Sequence, residues 1–289
     1  MSCSFLNHLN TLLLYVLPHH LLSRAMYTLT RIRCAPLKNS FIRLFIRRFR
    51  IDMTLAQETR VEAYRDFNSF FTRALRPEVR PVVSGSDELA CPVDGAISQC
   101  GPIQEDRILQ AKGCDYRLNE LLGRQQDTAA LFTQGIFATI YLSPRDYHRI
   151  HMPLQGTLQH MWYIPGRLYS VNTCSTHQIP GLFTRNERLV TLFDTAAGPM
   201  AMILVGAIFV SSMETVWEQS LSGGADGGIR HWDYRQTPPI TLNKGEEMGR
   251  FNMGSTVIVL FGAQRVALAE EMIAGQSVQM GQRLGTAAT

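Results

Sequence analysis

Three short segments of this 289-residue chain hold side chains suited to acid–base or covalent chemistry. The first is Pro92-Val93-Asp94-Gly95, a turn signal that carries one carboxylate. The second runs Ser143-Pro144-Arg145-Asp146-Tyr147-His148-Arg149-Ile150-His151-Met152-Pro153 and follows an apolar, strand-like run. Two imidazoles at a strand end are placed to move protons near neutral pH. Their spacing also suits a metal, yet no cysteine or acidic ligand with matching spacing lies nearby, so the reading is no metal. The third is Asn252-Met253-Gly254-Ser255-Thr256, which enters the apolar run Val257-Ile258-Val259-Leu260-Phe261. It is no lipase elbow, because G-x-S-x-G is absent and a strand follows, and no phosphate loop, because Gly-Lys-Ser/Thr is absent. Taken singly, each segment also reads as an ordinary turn or a locally bonded histidine.

Positioning these residues calls for a β framework. Short β-rich runs at 137–142, 189–193, 201–210 and 256–261 are punctuated by Asp94-Gly95, Gly198-Pro199 and Pro238-Pro239. Helical periodicity is weak after residue 125, and Gly223 to Gly228 reads as a mobile loop. The expected fold is α+β: a mostly β catalytic body preceded by amphipathic helices, with 1–76 helical and 77–289 β-rich. The head divides into three helices at Pro18 and Pro36. In the third, Leu37, Phe41, Leu44, Phe45 and Phe49 recur at helical steps, with Arg43, Arg47, Arg48 and Arg50 largely off that stripe. Such a helix can lie in a membrane interface or dock on the body. Asp66 is placed to cap a short helix carrying Phe67, Phe70, Phe71 and Leu75, which ends before Pro77.

Composition agrees with a folded chain: 45% hydrophobic and 18% charged. The net charge of +4 hides an asymmetry. Residues 1–50 hold eight Arg or Lys and no acid, whereas the remainder holds 20 basic and 24 acidic groups. Any anionic surface is therefore met by the N-terminus, each basic group near it contributing about 1 kcal/mol. The longest apolar run, Leu12 to Leu17, is too short for the roughly 18 residues of a membrane span. No Lys or Arg precedes it, unlike a signal peptide. Six scattered cysteines without C-x-x-C suggest a reducing compartment rather than a disulfide framework.

Together the three segments resemble the phosphatidylserine decarboxylase family of the bacterial type. The likeness covers nearly the whole chain. It includes Phe70-Phe71-Thr72-Arg73, Arg80-Pro81, Pro92 to Gly95, Lys112-Gly113, Tyr141 to Pro153, Pro165 to Leu168, Asn186-Glu187-Arg188, Glu214 to Trp217, Lys244-Gly245-Glu246 and Phe251 to Phe261. Met253 stands where the family usually has Leu, a swap of similar volume.

The resemblance implies a self-processing proenzyme cut between Gly254 and Ser255 into chains 1–254 and 255–289. Ser255 would become a covalent pyruvoyl group, replacing pyridoxal phosphate and requiring no metal. His151 would be the base for Ser255, oriented and charge-balanced by Asp94, and His148 the favoured donor of the proton that follows loss of CO2. Phosphatidylserine is the implied substrate and phosphatidylethanolamine the product. Expected partners are an anionic membrane surface, the two cleaved chains as a heterodimer, and a second copy in a family-type dimer, with no nucleic acid. The expected location is peripheral, on the cytoplasmic side of the cell membrane. Two rivals remain at this point: a serine hydrolase using Ser255, His151 and Asp94, and a β-rich lipid-binding module with a basic anchor.

Overall fold

The computed structural model describes residues 18–208, 212–219, 221, 227–236, 238–253 and 256–288. The first of the three expected helices, most of the glycine-rich loop, and both Gly254 and Ser255 lie outside the described residues. Helix α1 (His19–Thr30) follows Pro18, and α2 (Ala35–Phe49) holds Pro36 in its first turn, where a missing N–H leaves no helical bond unmade. The break therefore falls at residues 31–34, just ahead of Pro36. Helix α3 (Phe67–Phe71) begins as expected at Asp66, whose carboxylate accepts from Ser69 N–H while Ser69 Oγ accepts from Asp66 N–H. It ends at Phe71, so Leu75 lies beyond it.

The body begins with β1 (Glu88–Ala90), β2 (Gly95–Pro102), β3 (Arg107–Ala111) and β4 (Cys114–Arg117). Then come β5 (Ile136–Tyr141), β6 (Arg149–His151), β7 (Gly156–Ile164), β8 (Arg188–Thr195) and β9 (Gly198–Val205). The last are β10 (Ser212–Thr215), β11 (Arg230–Asp233), β12 (Thr241–Leu242), β13 (Glu247–Asn252), β14 (Thr256–Phe261), β15 (Val266–Leu268), β16 (Ser277–Val278) and β17 (Arg283–Ala287). A nine-stranded sheet runs β11-β7-β8-β9-β14-β5-β2-β16, with β12 also paired to β7. A small sheet, β10-β13-β6, carries the second site segment. Each expected β-rich run contains a strand, although β9 ends at Val205, short of the expected 210, and residues 209 and 210 lie outside the described residues; β14 matches its run residue for residue. All six of its residues are buried, as a central strand between β5 and β9 requires.

A second, aromatic core joins the helices to the body. Ile42 of α2 and Phe67, Phe70 and Phe71 of α3 are buried together, with Phe41, Phe45, Phe49 and Met253 packed against them. Phe41 and Phe67 rings lie 4.5 Å apart. Lys38 Nζ reaches the carbonyls of Glu62 and Tyr64, and Arg43 pairs with Glu62, fastening α2 at its other side. The apolar stripe of α2 is thus divided rather than given whole to a membrane. Its aromatic part docks on the body, while Leu37 (54% exposed) and Leu44 (64%) stay outside, as do Leu21 and Leu29 of α1. Aromatic rings find close ring partners on α3, which the smaller leucines do not. Among the described residues no helix is long and apolar enough to cross a membrane.

Candidate active site

The three chemical segments meet where the chain passes from one sheet to the other. β13 runs in the small sheet, Asn252 facing Ser212 and Glu247 facing His151. Only residues 253–255 separate it from β14, whose first residue, Thr256, faces Tyr141 on one side and Val205 on the other. Tyr141 also faces Ala96 at the start of β2, directly after Asp94. A Cβ on Gly95 would run into the Tyr141 carbonyl oxygen, so glycine lets the Asp94 segment lie this close. His151 N–H donates to the Pro92 carbonyl at 2.9 Å and ties the second segment to the first.

His151 is buried on β6. Its Nδ1 lies 2.8 Å from the Gly245 carbonyl, which can only accept, so Nδ1 carries the proton. Nε2 therefore has the free lone pair and takes the Tyr147 hydroxyl at 3.0 Å. Burial holds the imidazole below its ordinary pKa, opposed by the Gly245 bond and by Glu247 and Asp94 at a distance. It is neutral at neutral pH, as a base must be. Burial also pushes the Tyr147 phenol well above its usual range.

Asp94 turns elsewhere. Arg80 grips it with Nε at 2.8 Å from Oδ1 and Nη2 at 2.6 Å from Oδ2, and Met280 N–H donates to Oδ1 at 2.8 Å. Among the described residues no hydrogen bond joins Asp94 to His151. The ring of His151 makes its hydrogen bonds to Gly245 and Tyr147, while the guanidinium fork and the Met280 amide engage the carboxylate of Asp94, the residue expected to orient and charge-balance His151.

His148 is fully buried and stacks on Phe71, ring centroids 4.1 Å apart. Burial and the neighbouring Arg73 charge press its pKa down to about 3, against the weaker pull of the Pro144 and Ser143 carbonyls. Arg73 is itself buried; one Nη donates to the Arg145 carbonyl at 3.2 Å, while Nε and Nη1 have no partner among the described residues. Arg73, Arg80, Tyr147 and Gly245 had no assigned role in the sequence. Tyr147 was legible as a hydroxyl four residues before His151, but Arg80 and Gly245 reach the site only through the fold.

An apolar cavity of about 350 Å3 adjoins the crossing, lined by Phe41, Phe45, Phe49, Phe71, Leu142 and Met253 among others. A more polar one of about 280 Å3, with Gln99, Gln110, Thr173 and Thr176 in its wall, shares Tyr141 and Val171 with the first. Among the described residues no group of three acidic, histidine or cysteine side chains is set to hold a metal ion.

Comparison with known proteins extends over the same residues. A family model described as phosphatidylserine decarboxylase matches residues 67–286, and one described as PSD matches 9–50. A phosphatidylserine decarboxylase proenzyme of Psychromonas ingrahamii is 50% identical over 268 residues, 93% of each chain. That of Ectopseudomonas mendocina is 51% identical over 274 residues, 94% of this chain and 96% of the relative. That of Shewanella loihica is 52% identical over 258 residues, 89% and 90% of the two chains.

Proposed function

This chain belongs to the phosphatidylserine decarboxylase family, and we propose that it cuts itself at Gly254–Ser255, keeps Ser255 as a pyruvoyl group and works at a membrane surface. It is a decarboxylase that converts phosphatidylserine to phosphatidylethanolamine and CO2 and is made as a proenzyme. What supports the finer reading most is the meeting of the Ser143–Pro153 segment with the short crossing from β13 to β14.

His151 takes the Ser255 hydroxyl proton at Nε2, the nitrogen that the Gly245 bond leaves with a lone pair. Ser255 Oγ then bonds to the Gly254 carbonyl carbon as the C–N bond breaks, turning the amide into an ester and freeing the amine. Loss of the Ser255 Cα proton expels the Gly254 carboxylate and leaves dehydroalanine, which water converts to the keto-acyl group and ammonia. Asp94, held by Arg80, favours positive charge on His151 as the proton arrives.

The residues present fit a small keto-acyl group at the head of β14. Arg73 Nε and Nη1 and Thr256 Oγ1 are buried polar atoms without partners among the described residues. The group supplies an electron sink for a bound amine, the part pyridoxal phosphate plays in other decarboxylases. His148 brings the proton that replaces CO2. Being neutral, it acts as a relay between its two nitrogens rather than as a proton store. The apolar cavity beside Met253 suits an acyl chain and the adjoining polar one a head group. The segment 1–76 serves membrane association and 77–289 catalysis. After cutting, chain 255–289 stays bound because β14 is a buried central strand, and the finished molecule is peripheral to the cytoplasmic face of the membrane as a dimer of such pairs.

Denaturing electrophoresis with intact-mass measurement tests this. The native protein should give two chains, the shorter with the mass of a pyruvoyl-blocked 255–289. Ser255→Ala should remain one inactive chain, and His148→Ala should cut but turn over at least about 100-fold more slowly. An active, uncut native chain would refute the proposal, and inhibition of that chain by a fluorophosphonate would favour the hydrolase instead.

A further inference from the structure

Met253, one residue ahead of the proposed scissile bond, has φ +84°, a backbone state that a side chain of its size rarely adopts. Such a state persists only where the surroundings enforce it. The neighbouring Asn252 supplies that enforcement. It is fully buried, its Nδ2 donates to Ser212 Oγ and to Glu214 Oε1, both at 2.7 Å, and its Oδ1 accepts from Asn68 Nδ2 at 2.9 Å. Ser212 and Glu214 belong to β10, paired to β13 through Asn252 and Ser212 themselves. Asn68 comes from the other direction, on α3, whose Phe71 stacks on His148. The Met253 side chain is meanwhile packed against the aromatic core of α2 and α3. Backbone and side chain are thus restrained from two directions.

We infer that Asn252 and Asn68 are positioning residues for self-cleavage: their side-chain clamp, braced by Ser212 and Glu214, holds Met253 left-handed and so sets the direction in which the chain enters residues 254 and 255. This rests on the proposed cut at Gly254–Ser255. The reason for the clamp is geometric. A hydroxyl that attacks the carbonyl preceding its own residue must approach out of the peptide plane, and small misplacements of reacting atoms cost large factors in rate. Without the clamp, Met253 relaxes to negative φ and the chain leaves β13 in another direction.

The full chain is synthesised in a cell-free system and its cutting followed on gels. Asn252→Ala and Asn68→Ala should each lengthen the cleavage half-time by about tenfold or more, equivalent to about 1.4 kcal/mol of barrier. Adding Met253→Gly to either should restore most of the rate, since glycine takes positive φ without penalty. A purely structural role would not be rescued by a neighbouring glycine. Thermal unfolding of each variant in a Ser255→Ala background checks folding; if Asn252→Ala does not fold, the Asn68→Ala pair of variants decides. Native cleavage rates in the alanine variants, or slow variants that Met253→Gly leaves slow, overturn the clamp. Cutting in Ser255→Ala alone would instead fault the cleavage assignment on which it depends.

Discussion

His151 and His148 share a short segment and a buried setting, yet the structure sorts them by what each nitrogen touches. His151 has one nitrogen fixed as a donor by Gly245 and the other in contact with a hydroxyl, the arrangement of a base. His148 has an aromatic ring on its face, and its burial together with a guanidinium charge nearby suppresses protonation. A pH prediction follows for His151. Its pKa is lowered from the ordinary value near 6.5, so the neutral, proton-accepting form persists below that pH. Self-cleavage should therefore stay level as pH falls through 6.5 and decline only at lower pH. Half-times measured from pH 8 to pH 5 check this, and an inflection at or above 6.5 would contradict the assignment of His151 as base.

The two described N-terminal helices divide their apolar side chains between the protein core and the surface. The aromatic part of α2 is internal to the protein, and its leucines face outward with the arginines. Removing residues 1–50 entirely would strip Ile42 and its neighbours from the aromatic core, so deletion is no clean test of the proposed membrane contact, because it also removes stability. Point changes separate them. Phe67→Ala removes a ring that is 1% exposed and should cost about 3–5 kcal/mol in urea unfolding. Leu37→Ala with Leu44→Ala should change stability by no more than about 0.5 kcal/mol per site yet weaken binding to anionic vesicles by about tenfold or more. Unaltered vesicle binding would move the membrane contact away from this face. The same docking explains why periodicity revealed α2 but not its allegiance: an apolar stripe is the same signal for a protein core and a bilayer.

Across the whole molecule, one buried acid outside the proposed chemistry imposes a pH dependence on folding. Glu187 is 7% exposed, and burial raises its pKa to about 7, against the pull of Tyr163 and Arg230. A carboxyl whose folded pKa is raised stabilises the fold at pH below its unfolded value, and that contribution is lost as pH rises towards the folded value. Between about pH 4.5 and 7 the loss amounts to about 3 kcal/mol for this group. Glu187→Gln should accordingly raise the unfolding midpoint at pH 8 by more than at pH 5; an equal effect at both would show that Glu187 is not the source. The sequence by itself determined the strand β14 to the residue, the Asp66 cap and the family, because contiguous motifs, burial patterns and capping chemistry are local. Only the tertiary structure decided that Arg80 holds Asp94, that Gly245 and Tyr147 hydrogen-bond the ring of His151, and that Asn68 and Asn252 meet across 184 residues. Those pairings depend on which strands lie side by side, and strand order is set by the packing of the whole chain rather than by any stretch of it.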